Sequence, residues 1–326
     1  NIFSSAINIS NSLRLNSQDH CYNIMPLFHI HGLIAVLSSS INAGASVYAS
    51  NGFNALKFLE TADKESITWY SGVPTMHQAI LMRAKKNPKL AEELSLRFIR
   101  SSSASLPPAV FDELKKIFKT TVIEAYGMTE ATHQMTSNPM PPEKQKAGFV
   151  GKPAGPEVCI MDAQGNKLNT GEDGEVCIRG DNVTNGYENN EEANKTAFIN
   201  GWFRTGDQGH FDDEGYLKIS GRLKEIINRG GEKVSPLEVD NILMEHEAVE
   251  QVVTFAVKDN LLGEAIGVAI VLKSGIDCNE IDIKNYASKH LADFKIPKYI
   301  RFLEEIPKGA TGKLQRIGLA EKLGLE

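Results

Sequence analysis

Cysteine and tryptophan are scarce in this chain, with four and two among 326 residues. Cys21, Cys159, Cys177 and Cys278 are widely separated and form no C-x-x-C pair. Neither a disulfide framework nor a zinc ribbon is indicated, and a reducing, cytoplasmic setting fits. Long apolar runs are also missing: the segment Gly32 to Ile41 is too short to be a membrane span, which needs about 20 residues. Positive charge is in deficit, 35 Lys and Arg against 41 Asp and Glu, and a net charge of −6 argues against nucleic acid or an acidic membrane as the main partner. No signal-peptide layout, repeat or low-complexity tract is visible, and no obligate protein partner is evident. The first residue is Asn1 rather than methionine, so the sequence reads as the remainder of a longer protein; its end, Gly324-Leu325-Glu326, is not a Ser-Lys-Leu-type peroxisomal address.

The length leaves room for about two domains with a substantial core. In the first half, strand-like segments at Val47 to Ser50, Ile67 to Tyr70, Phe98-Ile99 and Thr121 to Ala125 alternate with helical patterns. One helix starts at Val73 and ends near Asn87-Pro88; another opens at Pro107-Pro108, with Val110, Phe111, Leu114, Ile117 and Phe118 at helical spacing. Such alternation implies a parallel sheet. Short strands and turns follow, at Val158 to Met161, Glu175 to Arg179 and Tyr216 to Ile219, with turn chemistry at 163–166 and 212–215. Beyond Arg222 the pattern is compact α+β. Ser235-Pro236-Leu237-Glu238 reads as a capping box, Val239, Ile242, Leu243 and His246 as its inward stripe, and Val252 to Val257 and Gly267 to Leu272 as paired strands. The expected division is 1–150, a truncated α/β part; 151–221, a β subdomain; and 222–326, a small α+β domain.

The strand ending at Ala125 runs into Tyr126-Gly127-Met128-Thr129-Glu130, read as a tight turn that places a hydroxyl and a carboxylate where ligands of open α/β sheets collect. Downstream come Trp202-Phe203-Arg204-Thr205-Gly206-Asp207, Gly221-Arg222-Leu223-Lys224-Glu225 and Pro307-Lys308-Gly309-Ala310-Thr311-Gly312-Lys313. This ordered set resembles the adenylate-forming superfamily of acyl-CoA synthetases, firefly luciferases and peptide-synthetase adenylation domains, over essentially the whole chain. Within it the likeness is to the 4-coumarate-CoA ligase-like branch and more narrowly to oxalyl-CoA synthetases, carried by Met25 to Gly32, Glu130 to Pro139 and Ile227 to Lys233.

The resemblance implies an α/β, partial adenylate-forming fold with a mobile C-terminal domain. It also implies an ATP- and Mg²⁺-dependent ligase that joins a small carboxylic acid, with oxalate favoured, to coenzyme A through an acyl-adenylate. The alternatives are a malonate, 4-coumarate or medium-chain ligase, or a catalytically incomplete nucleotide-binding fragment. Relatives carry upstream a Ser-, Thr- and Gly-rich loop for the β- and γ-phosphates. Residues 1–326 contain none, so part of the nucleotide site is expected to be missing.

The implied site residues follow motif by motif. Glu130 is expected to hold Mg²⁺ and Thr129 to donate to a phosphate oxygen. Tyr126 offers a face to adenine opposite Ser103-Ala104-Ser105, with Glu124, Ala125 and Gly127 beside it. Asp207 accepts from the ribose hydroxyls, Arg222 adds a second ribose or phosphate contact, and Lys313 bridges the acyl carboxylate and the α-phosphate. Lys224 takes the hinge position, and the turn Arg229-Gly230-Gly231 leaves space for the pantetheine arm of CoA. His29 and His31 read as alternate residues of an extended segment sharing one face. His29 is the expected gate or donor at the acyl carboxylate, and His31, Ser101, Ser102 and His133 complete the acyl pocket.

Overall fold

The computed structural model describes residues 1–325. A seven-stranded sheet has the order β2-β1-β3-β4-β5-β6-β7, with β1 (His20–Asn23), β2 (Ser46–Ala49), β3 (Trp69–Gly72), β4 (Phe98–Ser101), β5 (Thr121–Met128), β6 (His133–Ser137) and β7 (Lys152–Pro153). The pairs from β2 to β5 are parallel; β6 and β7 add antiparallel edges.

Side-chain alternation gives each face of the parallel strands its own core. Tyr22, Tyr70, Ile99 and Val122 join the cluster that includes Ile80, Phe111, Leu114 and Phe118 from the helices Pro74–Lys86 and Pro108–Phe118. Cys21, Trp69, Phe98 and Ile123 pack on the opposite face with Ile9 and Leu13 and with Ile34, Ala35 and Val36. Both helices begin with proline at the first position, where a missing N–H costs nothing.

Two local expectations are corrected. β5 does not end at Ala125 but continues to Met128, paired with β6, and the turn comes only at Thr129–Ala131 as a single 3₁₀ turn. Gly127 permits this pairing: a Cβ there would lie 1.6 Å from the His133 carbonyl oxygen. Nor do His29 and His31 lie on an extended strand. His29 sits in a turn and His31 opens a π-helical segment, His31–Ser38, that continues as α-helix over Ser39–Asn42. Gly32 lets this segment approach the preceding backbone, since a Cβ would meet the Pro26 oxygen at 2.5 Å. The hydroxyls of Ser38, Ser39 and Ser40 donate back to the carbonyls of Leu33, Ala35 and Val36, each at 2.7 Å, which satisfies acceptors that a widened helix turn serves poorly.

A five-stranded sheet follows, with β8 (Glu157–Met161), β9 (Gly174–Arg179), β10 (Phe198–Ile199), β11 (Trp202–Phe211) and β12 (Leu217–Arg222) in the order β10-β11-β9-β8, and β12 also paired with β11. The third sheet has β13 (Ile227–Arg229), β14 (Glu232–Val234), β15 (Val249–Asp259), β16 (Gly263–Leu272) and β17 (Tyr299–Phe302). As expected, the two apolar runs pair antiparallel, Phe255 opposite Gly267. Ser235 caps the helix Pro236–Met244 by accepting from the Glu238 N–H, but the Glu238 carboxylate pairs with Lys295 instead of closing a box, and His246 lies beyond the helix end. The reciprocal box occurs at Asn279 and Asp282.

The chain divides into two compact units, residues 1–205 with 209–219, and residues 206–208 with 220–326. Residues on both sides of 150/151 belong to the first unit, where Val150 packs with Ile160, Val176 and Leu217, and Tyr126 joins that cluster. The second unit begins at Ser220 rather than Arg222, and it takes three residues from β11.

Candidate active site

In the first unit the candidate residues collect at the C-terminal ends of β4 and β5 and on β6. The chain leaves β4 through Ser101 and Ser102, both buried, and reaches half-buried Ser103 at φ +73°, exposed Ala104 and half-buried Ser105. The Glu124 carboxylate holds this loop from below by accepting from the Leu106 N–H at 2.9 Å. Burial pushes the Glu124 carboxyl up to about 8, so Glu124 shapes the loop from beneath and does not present an open carboxylate. Ser102 is likewise turned inward, donating to the Ala125 carbonyl at 2.8 Å, and Ser101 keeps its hydroxyl buried without a hydrogen-bond partner. Half-buried Tyr126 packs against two clusters of the neighbouring β layer.

His31 is completely buried, with Nδ1 3.0 Å from the Ser103 Oγ and Nε2 2.6 Å from the Ser71 Oγ. Both ring nitrogens are therefore engaged by serine hydroxyls. Burial first, and then His133 and Arg100, hold His31 well below the usual histidine range, so it is neutral. His133, buried at φ +94°, has its ring centroid 5.2 Å from that of His31. His29 is half-buried, and its Nδ1 accepts from the His31 N–H at 3.1 Å.

One residue of this cluster escapes the motif reading. Arg100, on β4 directly opposite Ser71, is fully buried and donates to the Ser71 Oγ at 3.3 Å and to the Gln134 Oε1 at 3.2 Å. Its available sequence signal was an arginine inside the otherwise apolar strand Phe98-Ile99-Arg100.

Thr129 is exposed and Glu130 half-buried. The Tyr187 hydroxyl donates to Glu130 Oε1 at 2.9 Å, and the Glu130 carbonyl accepts from the Thr184 N–H at 2.7 Å. A carboxylate that is accessible yet fixed in direction suits one of the few protein ligands Mg²⁺ takes beside phosphate and water. Tyr187 was not foreseen, since it lies 57 residues away in sequence.

The second unit carries the remaining candidates. Asp207 is buried on β11 and accepts from Arg222 Nε at 2.9 Å. Lys313 belongs to a narrow loop closed by Gly309 N–H to the Lys313 carbonyl at 2.8 Å and by the Lys308–Leu314 bridge. Burial and Arg222 lower the Lys313 value, while Asp207 works against them, so all three share one electrostatic environment. Arg316 anchors the loop, pairing with buried Asp240 at 2.6 Å and with Glu225 at 3.3 Å. Lys224 stands exposed in the turn after β12. Gly230 and Gly231 form the turn between β13 and β14 at φ +61° and +95°, with Arg229 paired to Glu232.

A family model described as AMP-binding enzyme matches residues 1–188, and one described as AMP-binding enzyme C-terminal domain matches residues 238–313. The chain belongs to this family of adenylate-forming enzymes. It is 48% identical over 323 residues to the oxalate–CoA ligase of Saccharomyces cerevisiae, and 49% identical over 319 residues to that of Arabidopsis thaliana. These alignments cover 98% and 97% of this chain but 59% and 62% of those proteins. ATP-bound MatB from Rhodopseudomonas palustris matches with a TM-score of 0.91 at 28% identity, over 98% of this chain and 63% of that one. The chain therefore spans less than two thirds of the length of these relatives. Among the described residues no helix is long and apolar enough to cross a membrane.

Proposed function

We propose that the complete protein is an ATP-dependent carboxylate–CoA ligase whose acid is oxalate. The observation that carries the choice of acid is the cluster of Ser103, His31, His133 and Arg100, where donors and a buried cation stand in place of the apolar wall a fatty or aromatic acid requires. Oxalate has almost no apolar surface, so its affinity must come from hydrogen bonds and positive charge. The names of the two oxalate–CoA ligases support the same reading.

Adenylation brings two anions together and needs cations and oriented donors more than a base. In this reading Lys313 supplies a cation to the carboxylate and α-phosphate. Asp207 takes the ribose hydroxyls with Arg222 beside it, Tyr126 and the backbone of residues 103–105 line the adenine while the Ser103 hydroxyl is left to the acyl side, and Thr129 donates to phosphate. Glu130, steadied by Tyr187, would hold Mg²⁺, whose chemistry is to neutralise phosphate charge as pyrophosphate departs. His29 and His133 border the acyl carboxylate. In the second half-reaction Lys224 acts as the hinge, and the Arg229–Gly231 turn admits CoA.

CoA-dependent AMP formation by the complete protein over a panel of acids tests this. Oxalate should give the highest kcat/KM; a preference for malonate, coumarate or a medium-chain acid overturns the choice of acid, and absence of AMP release with every acid overturns the ligase.

A further inference from the structure

Two arginines three residues apart, half-buried Arg97 and fully buried Arg100, have opposite surroundings. Arg97 forms a two-pronged pair with Asp19 at 2.9 Å. Arg100, three residues on, has no carboxylate partner among the described residues; its donors meet only a hydroxyl and an amide oxygen, and Nε meets nothing. A buried guanidinium so placed is costly unless it serves the groups around it.

The direction of the hydrogen bonds follows from what each group can do. Arginine has donors and no acceptor, so Ser71 Oγ must accept from Arg100. The Ser71 hydroxyl proton then needs an acceptor, and the one within reach is His31 Nε2, at 2.6 Å. His31 is neutral, so its single ring proton is left on Nδ1 and points at Ser103 Oγ, 3.0 Å away. Ser103 Oγ thereby accepts from inside, and its own proton turns to the half-buried, outward side of the loop.

We propose that Arg100 is a positioning residue which, through Ser71, locks His31 in the Nδ1–H tautomer and so commits the Ser103 hydroxyl to donate to an anionic acyl substrate. The part concerning substrate rests on the proposed function; the tautomer lock does not. The register of the sheet builds the chain of bonds, since Ser71 and Arg100 are opposed on β3 and β4 and share the face covered by the His31–Ser38 segment.

The test is ¹⁵N-imidazole NMR of the complete protein, comparing wild type with Arg100→Gln, Arg100→Lys and Ser71→Ala, alongside KM values for acid and ATP. His31 should carry its proton on Nδ1 in wild type and lose that preference in Arg100→Gln and Ser71→Ala, with Arg100→Lys partly restoring it. KM for the acid should rise about ten- to a hundred-fold in Arg100→Gln, as when a hydrogen bond to a charged group is lost, while KM for ATP holds. A wild-type proton on Nε2, or a tautomer indifferent to both Arg100→Gln and Ser71→Ala, overturns the proposal. A confirmed lock in a protein that activates no acid would leave Arg100's role standing and refute the ligase reading, so the two fail separately.

Discussion

Tyr187 donates its hydroxyl to the Glu130 carboxylate at 2.9 Å, which fixes the direction of the one acidic side chain expected to meet a metal. Carboxylates steered in this way bind cations better than freely rotating ones. Tyr187→Phe should therefore raise the Mg²⁺ concentration needed for half-maximal adenylation by about ten- to a hundred-fold. Titrating Mg²⁺ at saturating ATP and acid measures it; an unchanged requirement would remove Tyr187 from the site.

Glu124 yields a stability prediction with a definite sign. Its folded value is raised to about 8 by burial, whereas an unfolded glutamate titrates near ~4.3. Between these values the folded state binds the extra proton, so stability is full below the lower value and falls as pH rises through the higher one. Glu124→Gln should abolish this fall, which has a limit of about 1.4 kcal/mol per pH unit, while keeping an acceptor for the Leu106 N–H. Denaturant midpoints of both proteins on either side of the window read it out, and parallel pH profiles would count against a protonated Glu124.

The Lys313 amine is depressed by burial and Arg222 and partly restored by Asp207. A lowered value leaves it charged below that point and neutral above it, so adenylation should lose its cation at a lower pH than an ordinary lysine allows. Asp207→Asn should move this alkaline limb lower still; movement to higher pH would contradict the shared environment. Lys313→Ala should slow adenylation by about 10²–10³ and spare thioester formation from a supplied acyl-adenylate.

His133 faces His31 at 5.2 Å between ring centroids. In His133→Ala, oxalate turnover should collapse because a charged acceptor loses its partner, while a longer or less polar acid loses less. A difference of ~1.4 kcal/mol shifts the preference ratio about ten-fold. Competition between oxalate and such an acid measures the ratio; an unchanged ratio would place His133 outside the acyl pocket.

Much of this was legible in the sequence because it is local. The Pro107-Pro108 helix start, the Val252 and Gly267 strands and the Gly230-Gly231 turn are written in neighbouring residues. The His29-His31 spacing misled, because alternation of two residues cannot distinguish a strand from a turn entering a π-helix, which depends on Gly32 meeting Pro26. Ser102 in the loop after β4 and Glu124 on β5 beneath it both turn inward, a matter of side-chain direction that no motif encodes. Arg100 went unnoticed because its meaning depends on Ser71, across the register of two strands 29 residues apart.

The three residues 206–208, which belong with 220–326, make the second unit a composite of two chain segments. Its smaller part is synthesised first, and Asp207 awaits Arg222 until the ribosome has added fifteen further residues. Genetic exchange with a relative at 219/220 would consequently seat a foreign arginine on a native aspartate. A transplant that preserves this pair must carry 206–208 with it, and so must any shorter gene meant to yield the C-terminal unit intact.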